Sequence, residues 1–127
     1  MIKGIGIDHV RIERVRELLE RFPDRARGRL FTAAERRACD GRKRPDECYA
    51  ARFAAKEAFV KALGTGLREG MRWSHIEVET DASGQPRLRL HDAARSAFRQ
   101  AGGVSAHLSF THEAGTAAAI VIIEGPE

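Results

Sequence analysis

The spacing of apolar and polar residues divides this chain into short helices and strands. Residues 2–8 alternate as in a strand, whereas residues 11–22 repeat apolar side chains at helical spacing until Pro23. The same criteria predict the remaining elements. These are helices over about 32–39, 46–63 and 92–100, and strands over 75–80, 86–90, 105–111 and 116–123. This order predicts an α+β fold in which a mostly antiparallel sheet packs against one long buried helix.

The first predicted strand has one face with almost no side-chain bulk. Ile5 and Ile7 point to one side, and the other side presents Gly4, Gly6 and Asp8. A helix or a ligand can therefore approach the glycine face closely. Asp8 is interpreted either as an N-cap for the following helix or as a carboxylate ligand of a cation.

Two further segments make specific structural predictions. Thr32 followed three residues later by Glu35 forms a capping-box pattern at a helix start. Residues 116–123 are continuously small and apolar, which predicts a central strand buried on both faces.

The longest predicted helix carries charges among Ala, Phe and Leu side chains. Lys56, Glu57 and Lys61 stand on it, and burying ions is costly unless they are paired or bind something. The helix is therefore either part of a site or carries a surface Glu57–Lys61 pair worth about 0.3–0.5 kcal/mol. The turn at Gly64–Gly66 ends the helix, and its backbone N–H groups are candidates for binding phosphate.

A metal site and two histidines are the remaining chemical candidates. Asp8 and Glu57 would suit Mg²⁺, which takes one or two carboxylates and fills its octahedron with water and phosphate oxygens. No Cys/His set has the ligand spacing of a zinc site. His107 and His112 flank a strand with alternating polar residues, and a histidine there could bind phosphate or move a proton near neutral pH.

Length and composition predict an ordinary globular protein. A chain of 127 residues fits one domain, and no stretch approaches the roughly 20 apolar residues of a membrane span. The N-terminus lacks an apolar signal region, so a cytoplasmic location is expected. Cys39 and Cys48 lack metal-ligand spacing and are expected to remain reduced thiols.

The positive charge of the chain, +4 in all, is concentrated in its first half. This predicts an acidic partner, whether a nucleic acid, a phosphate ligand or an acidic protein. On the first helix Arg14 and Arg21 lie in one arc, away from Glu13 and Glu17. The sorting predicts a docking surface for an acidic helix, although intrahelical salt bridges are the alternative.

Four segments together resemble a known family. They are residues 4–8, 31–35, 52–66 and 107–112, with the sequences Gly-Ile-Gly-Ile-Asp, Phe-Thr-Ala-Ala-Glu, Arg-Phe-Ala-Ala-Lys-Glu running to Gly66, and His-Leu-Ser-Phe-Thr-His. In order and spacing the chain resembles the holo-acyl-carrier-protein synthases, the small 4′-phosphopantetheinyl transferases of bacteria, along essentially its whole length.

The resemblance implies a reaction and its participants. It implies transfer of 4′-phosphopantetheine from coenzyme A to a serine of apo acyl carrier protein in fatty acid biosynthesis, with Mg²⁺ (or Mn²⁺) bound by Asp8 and Glu57. It also implies carrier docking at Arg14 and Arg21, and a homotrimer with active sites between subunits. Neither a nucleic acid nor a membrane is expected as a partner.

The resemblance further implies residue roles. Coenzyme A contacts fall to Arg52, Lys61, Gly64, Thr65, Gly66, His107 and Ser109. Catalytic roles fall to Glu57, Lys61, His107 and His112. His112 and Glu113 stand where some members carry a His-Asp pair, so here the acid is one methylene longer. His9 departs from the aliphatic residue usual after the aspartate.

Two other classes of protein compete with this interpretation. A basic nucleic-acid-binding module is supported by the sequence pI of about 9.6, but no zinc finger, aromatic RNA platform or clear helix-turn-helix is present. A purely structural assembly protein is the third possibility, with the sheet and long helix used for oligomerisation. An assay for transfer of phosphopantetheine to a carrier protein distinguishes these three classes of protein.

Overall fold

The computed structural model describes residues 1–68 and 70–127. The chain forms five strands, five α-helices and one 3₁₀ turn among these residues. In chain order they are β1 (Ile2–Arg11), α1 (Ile12–Arg21), α2 (Pro23–Leu30), α3 (Ala33–Asp40), α4 (Pro45–Leu63), the 3₁₀ turn Trp73–His75, β2 (Ile76–Thr80), β3 (Pro86–Leu90), α5 (Asp92–Gln100), β4 (Ser105–Glu113) and β5 (Thr116–Glu124).

The strands form two antiparallel sheets. One has the order β1-β5-β4, and the other is the hairpin of β2 and β3. In the larger sheet Ile7 lies opposite Ile120, which in turn lies opposite Ser109. The predicted α+β class, with antiparallel strands and a long helix, is confirmed.

The long helix α4 packs closely on the inner face of β1. A Cβ atom at Gly6 would lie 1.8 Å from the Ala58 carbonyl oxygen, and one at Gly4 would lie 2.0 Å from that of Ala62. Any side chain at these glycines would push the helix away from the strand. The predicted close approach to the glycine face is confirmed, and its occupant is α4.

Thirteen of the nineteen residues of α4 are buried, so the helix is apolar on nearly all sides. One part of the core lies between α4, β5, β2 and α5, around Phe59 and Val121. Another lies between α4, α1, α2 and α3, around Phe31 and Tyr49. The capping box at Thr32 and Glu35 is present, as predicted.

The prediction that β5 is buried on both faces is wrong for the isolated chain. Its inner residues, such as Ala119 and Val121, are buried, but Ile120 on the outer face is 37% exposed. None of the helices in the described part of the chain covers that face: Ile5 and Ile7 of β1 lie on it and are 57% and 65% exposed. We call this outer side of the β1-β5-β4 sheet the outer face.

Helix α2 is not among the helices predicted from the sequence. Its sequence, residues 23–30, has just two buried residues, Ala26 and Leu30, so apolar periodicity is hardly visible. Pro23 ends α1 as predicted and also occupies the first turn of α2, where its missing N–H has no cost.

The expectation of two free thiols is also wrong. Cys39 and Cys48 form a disulfide that joins α3 to the first part of α4. The loop between these helices folds back, which brings the two residues together within a 5.3 Å Cα–Cα distance. Within residues 1–68 and 70–127, none of the helices combines the length and apolar character needed to span a membrane.

Candidate active site

Two acidic residues from distant parts of the chain line one cavity. Asp8 comes from β1 and Glu57 from the middle of α4, and the cavity between them and α1 has a volume of about 490 Å³. Arg14 and Arg21 of α1 line the same cavity. We call this space the acidic-pair cavity. Asp8 and Glu57 meet because Gly6 lets α4 lie directly against β1.

The two carboxylates influence each other electrostatically. Burial raises the pKa of Glu57, and the negative charge of Asp8 raises it further, while Lys61 and Arg14 act in the opposite direction. Lys61 donates a hydrogen bond to Asp8 Oδ1 at 2.9 Å and another to the Ile7 carbonyl at 3.1 Å. The hydrogen bond to Asp8 raises the pKa of Lys61.

This arrangement fits a hard divalent cation. The raised pKa of Glu57 indicates that its negative charge is unfavourable at this half-buried position beside Asp8. A cation bound between the two carboxylates would offset both negative charges. Two carboxylates are enough for Mg²⁺, because phosphate and water oxygens complete its shell. Among the described residues, no group of three or more His, Cys, Asp or Glu side chains could hold a metal.

The arginines of α1 stand beside exposed apolar side chains. Leu18 and Phe22 line the acidic-pair cavity together with Arg14 and Arg21, and they are 38% and 39% exposed. Arg21 also lies over the Phe22 ring, with its guanidinium carbon 5.4 Å from the ring centroid. The predicted alternative, an intrahelical salt bridge, is present in α1 between Glu13 and Arg16 at 3.8 Å, but among the described residues neither Arg14 nor Arg21 belongs to an ion pair.

Arg52 and His112 lie together in a different cavity. It has a volume of about 300 Å³ and is lined by the basic loop before α4, the first turns of α4 and the end of β4. Its charged lining residues are Arg42, Lys43, Arg44, Glu47 and Arg52, and His112 lines it as well. We call it the basic cavity. Its charge suits an anionic group such as a phosphate.

Arg52 is almost completely buried beneath the basic cavity. Its Nη1 atom donates to Cys48 Sγ at 3.0 Å, whereas its Nε atom has no hydrogen-bond partner. Burial lowers the pKa of this guanidinium, partly offset by the charge of Glu35. A buried N–H without a partner is costly, and an incoming acceptor would relieve that cost.

His107 and Ser109 lie on the outer face, away from Asp8 and Glu57. Side chains alternate along β4, so these two residues share the face that carries Ile120. His107 Nε2 lies 3.0 Å from Glu124 Oε1, and this contact lowers the pKa of Glu124. Within one chain, therefore, the predicted site residues do not form a single cluster.

The turn after α4 provides backbone geometry rather than side chains. Gly64 has φ +78° and Gly66 has φ +72°, a region that favours glycine. Gly64 caps the helix through its N–H to the Lys61 carbonyl. Thr65 donates to the Gly66 carbonyl at 3.3 Å and is exposed. The helix-cap interpretation of Gly64 is confirmed.

Lys56 belongs to the core and not to either cavity. Its ammonium group is fully buried and donates to Glu35 Oε1, the Leu30 carbonyl and the Trp73 carbonyl at 2.6, 2.7 and 3.1 Å. All three N–H bonds of the ammonium are thus satisfied. Of the three charged residues noted on this helix, Lys56 is structural.

Sequence reasoning did not identify the basic loop or Glu47 as lining a cavity. Arg42, Lys43 and Arg44 are visible in the sequence as a basic run, but the run does not show that they line a cavity together with Glu47. Their role depends on His112, which β4 brings near from a distant part of the chain. The local signal was the basic run itself, next to Arg52.

Known proteins of similar sequence and structure identify the family of this chain. The sequence model of the 4′-phosphopantetheinyl transferase superfamily matches residues 4–120. A holo-[acyl-carrier-protein] synthase of Trichlorobacter lovleyi is 51% identical over 99% of this chain and 100% of its own length. The crystal structure of the Neisseria meningitidis synthase superposes with a TM-score of 0.89 at 35% identity, covering 98% of this chain and 99% of that one.

A further solved structure contains a ligand. It is the Helicobacter pylori holo-[acyl-carrier-protein] synthase in complex with coenzyme A, with a TM-score of 0.83 and 28% identity over 94% of this chain and 99% of that one. The fold and the full-length matches define a 4′-phosphopantetheinyl transferase. The chain belongs to the holo-[acyl-carrier-protein] synthase family of that superfamily.

Proposed function

We propose that this chain transfers 4′-phosphopantetheine from coenzyme A to a serine hydroxyl of apo acyl carrier protein and releases adenosine 3′,5′-bisphosphate. The observation that carries the proposal is the convergence of Asp8 and Glu57 on a single cavity lined by arginines. The names of the relatives and the coenzyme A complex of the Helicobacter pylori protein support the same reaction. Residues 1–127 act as one transferase domain in this proposal.

The reaction breaks a pyrophosphate bond by attack of a hydroxyl on phosphorus. The protein must offset phosphate charge, align the attacking and leaving oxygens, and accept the serine proton. Asp8 and Glu57 would hold Mg²⁺, or Mn²⁺ in its place, which when bound neutralises pyrophosphate charge and orients its oxygens. Asp8 is kept in place by the hydrogen bond from Lys61.

Positively charged side chains would stabilise the remaining negative charge of the phosphates. Lys61 is 55% exposed, so its ammonium is free to reach a phosphate oxygen while it stays near Asp8. Arg52 would donate its unpartnered Nε–H to a phosphate oxygen in the basic cavity, which other basic side chains also line. The backbone around Gly64, Thr65 and Gly66 offers further N–H donors. Charge on the leaving phosphate is thereby lowered.

Proton removal from the serine is assigned to Glu57. Its carboxylate lies in the acidic-pair cavity, which is open beside the arginines of α1. Since Arg14 and Arg21 would dock the acidic carrier there, the serine arrives next to Glu57. His112, in the basic cavity, and His107, on the outer face, would act on the phosphates of coenzyme A.

We further propose a homotrimer with active sites between subunits. His107 and Ser109 lie on the outer face, while Asp8 and Glu57 lie on the helix side of the same sheet. Coenzyme A could contact both sets only if they come from different copies. The exposed isoleucines of the outer face provide an apolar surface for that contact. A cytoplasmic location, where coenzyme A and carrier protein meet, is part of the proposal.

The decisive experiment is a transfer assay read by intact mass. The protein is incubated with coenzyme A, Mg²⁺ and apo acyl carrier protein, and the carrier is weighed. We expect a gain of one phosphopantetheine, abolished by chelation of the metal and by Glu57→Ala in a folded variant. An unchanged carrier mass would overturn the proposal, and tight binding of DNA or RNA in its place would favour the nucleic-acid-binding class.

A further inference from the structure

The basic cavity contains one acidic side chain among the described residues that line it. Glu47 stands there with Arg42, Lys43, Arg44 and Arg52, and an isolated carboxylate weakens the attraction of such a cavity for an anion. Acidic groups in cationic sites are commonly held there for a positioning task, as in the carboxylate that orients a histidine. The contacts of Glu47 indicate which residue it positions.

Each carboxylate oxygen of Glu47 faces a different partner. Oε2 lies 3.6 Å from His112 Nδ1, an ion-pair distance slightly longer than a hydrogen bond, and Oε1 lies 3.3 Å from Arg44 Nη1. Glu47 is the less exposed member of both pairs: its side chain is 25% exposed, against 50% for His112 and 78% for Arg44. It stands in the first turn of α4.

Glu113, the neighbour of His112 in sequence, cannot fill this role. Successive side chains of a strand point to opposite faces. Phe110 and His112 line the basic cavity, so Glu113 points to the outer face, where its strand partner is Thr116. The carboxylate nearest to the His112 ring therefore comes from α4 and not from β4.

We propose that Glu47 is a positioning residue that fixes the His112 ring with Nδ1 toward α4 and Nε2 toward the basic cavity. A carboxylate at Nδ1 favours the proton on that nitrogen, and the other nitrogen is then presented to a ligand in a defined state. The catalytic consequence rests on the proposed function, because His112 matters to turnover only if the basic cavity receives coenzyme A phosphates.

A double-mutant cycle tests whether Glu47 acts through His112. The variants are Glu47→Gln, His112→Gln and the double variant, each assayed for transfer with both substrates varied. We expect Glu47→Gln to lower kcat/KM on the order of tenfold, mainly through kcat, and to change it by less than about twofold when His112 is already Gln. An equal loss of kcat/KM whether residue 112 is His or Gln would overturn the proposal. It would show that Glu47 acts through Arg44 or through the stability of the helix.

Asp46→Asn is the matched control. It removes the same charge from the same helix turn, but Asp46 pairs with Arg16 and does not line the basic cavity. We expect activity within about twofold of the wild type. Glu113→Gln tests the rival acid: a large loss there that vanishes in the His112→Gln background would assign the pairing to Glu113 and overturn the proposal.

A nitrogen NMR measurement tests the geometry without any activity. We expect the neutral His112 ring to carry its proton on Nδ1 in the wild type, and to lose that preference in Glu47→Leu, which removes both oxygens. An unchanged tautomer in Glu47→Leu would overturn the proposal. If His112→Gln is too slow to assay, this NMR measurement alone decides the proposal. A wild type that transfers nothing but shows the tautomer change would reject the proposed function and keep the Glu47–His112 pair.

Discussion

The Lys56 Nζ atom lies 2.6 Å from Glu35 Oε1, and both side chains are fully excluded from solvent. Glu35 also accepts hydrogen bonds from the backbone N–H groups of Thr32 and Val78, at 2.9 Å each. The pair thus joins α3, α4 and β2 around one buried charge centre. Burial lowers the pKa of Lys56, and the charge of Glu35 opposes that effect.

We expect Lys56→Met to destabilise the protein by about 3–5 kcal/mol, because it leaves the Glu35 carboxylate buried without its cation. Urea unfolding followed by circular dichroism measures this. Adding Glu35→Gln to Lys56→Met should recover part of the loss, since the buried charge is then gone. Lys61→Met, which removes an exposed ammonium from the same helix, should cost far less stability than Lys56→Met. Equal losses at both lysines would contradict a structural role specific to Lys56.

Helices α3 and α4 illustrate what the sequence could and could not predict. The capping box at Thr32 and Glu35 is a local pattern four residues long, and it was predicted correctly. The partner of Glu35, Lys56, is distant in sequence, so only the folded chain reveals that Lys56 is structural. Lys61 was considered as a surface partner of Glu57, but it donates to Asp8 instead, across the contact between α4 and β1.

The sheet shows the same distinction between local and distant information. The glycine face of β1 predicted a close approach, because a missing side chain is visible in the sequence. The apolar run of β5 could not reveal that its outer face is open in the isolated chain, since apolar residues serve equally in a core and in a contact between copies. The Cys39–Cys48 pairing likewise depends on how the loop before α4 folds back.

Glu57→Gln should stabilise the metal-free protein slightly near neutral pH. The raised pKa of Glu57 means that its negative charge is unfavourable in the folded state. The folded protein therefore loses stability as the pH rises from about 4.5, the ordinary pKa of a glutamate, through the raised pKa of Glu57. Thermal unfolding with and without Mg²⁺ measures the effect. We expect Mg²⁺ to raise the Tm of the wild type, and to raise that of Glu57→Gln or Asp8→Asn far less. An equal rise in all three proteins would contradict a metal bound by this pair.

Arg14→Glu should raise KM for the carrier protein about five- to tenfold and leave coenzyme A affinity unchanged, because it reverses one exposed charge of the docking surface. Steady-state kinetics with each substrate varied separates the two effects. Arg89→Glu on β3, which makes the same charge change away from the acidic-pair cavity, is the control. Carrier binding should also weaken with added salt. Binding that is independent of salt would argue against docking through the α1 arginines.

Tyr49 provides an optical test of the packing around α3 and α4, because it is the chain's single tyrosine. Burial, and its hydrogen bond to Asp40 at 2.8 Å, raise the pKa of Tyr49 to about 12. Phenolate absorbance after rapid pH jumps should show a native midpoint near that value, and one of about 10 in urea. Since the folded state holds the proton more tightly, stability should fall as pH rises from about 10 to about 12. Asp40→Asn should lower the native midpoint, and a native midpoint equal to that in urea would contradict the packing.

Ile7→Glu should disrupt the proposed trimer, because it places a charge on the outer face at a residue that is 65% exposed in the isolated chain. Light scattering after size-exclusion chromatography should give three times the 14.1 kDa chain mass for the wild type and a single chain for the variant, with loss of transfer activity. Val104→Glu is the control, since Val104 is 72% exposed but lines a cavity on the helix side beside Phe98.

Mixed subunits test the same assembly more directly. Asp8→Ala and His107→Ala should each be inactive alone, and exchange of subunits between them should restore part of the activity, because some interfaces then combine an intact Asp8 with an intact His107 from a neighbouring copy. Single-chain mass for a fully active wild type, or no recovery on mixing despite exchanged subunits, would contradict active sites between subunits. The arrangement that makes recovery possible is already present in one chain, where the sheet separates Asp8 and His107 onto opposite faces.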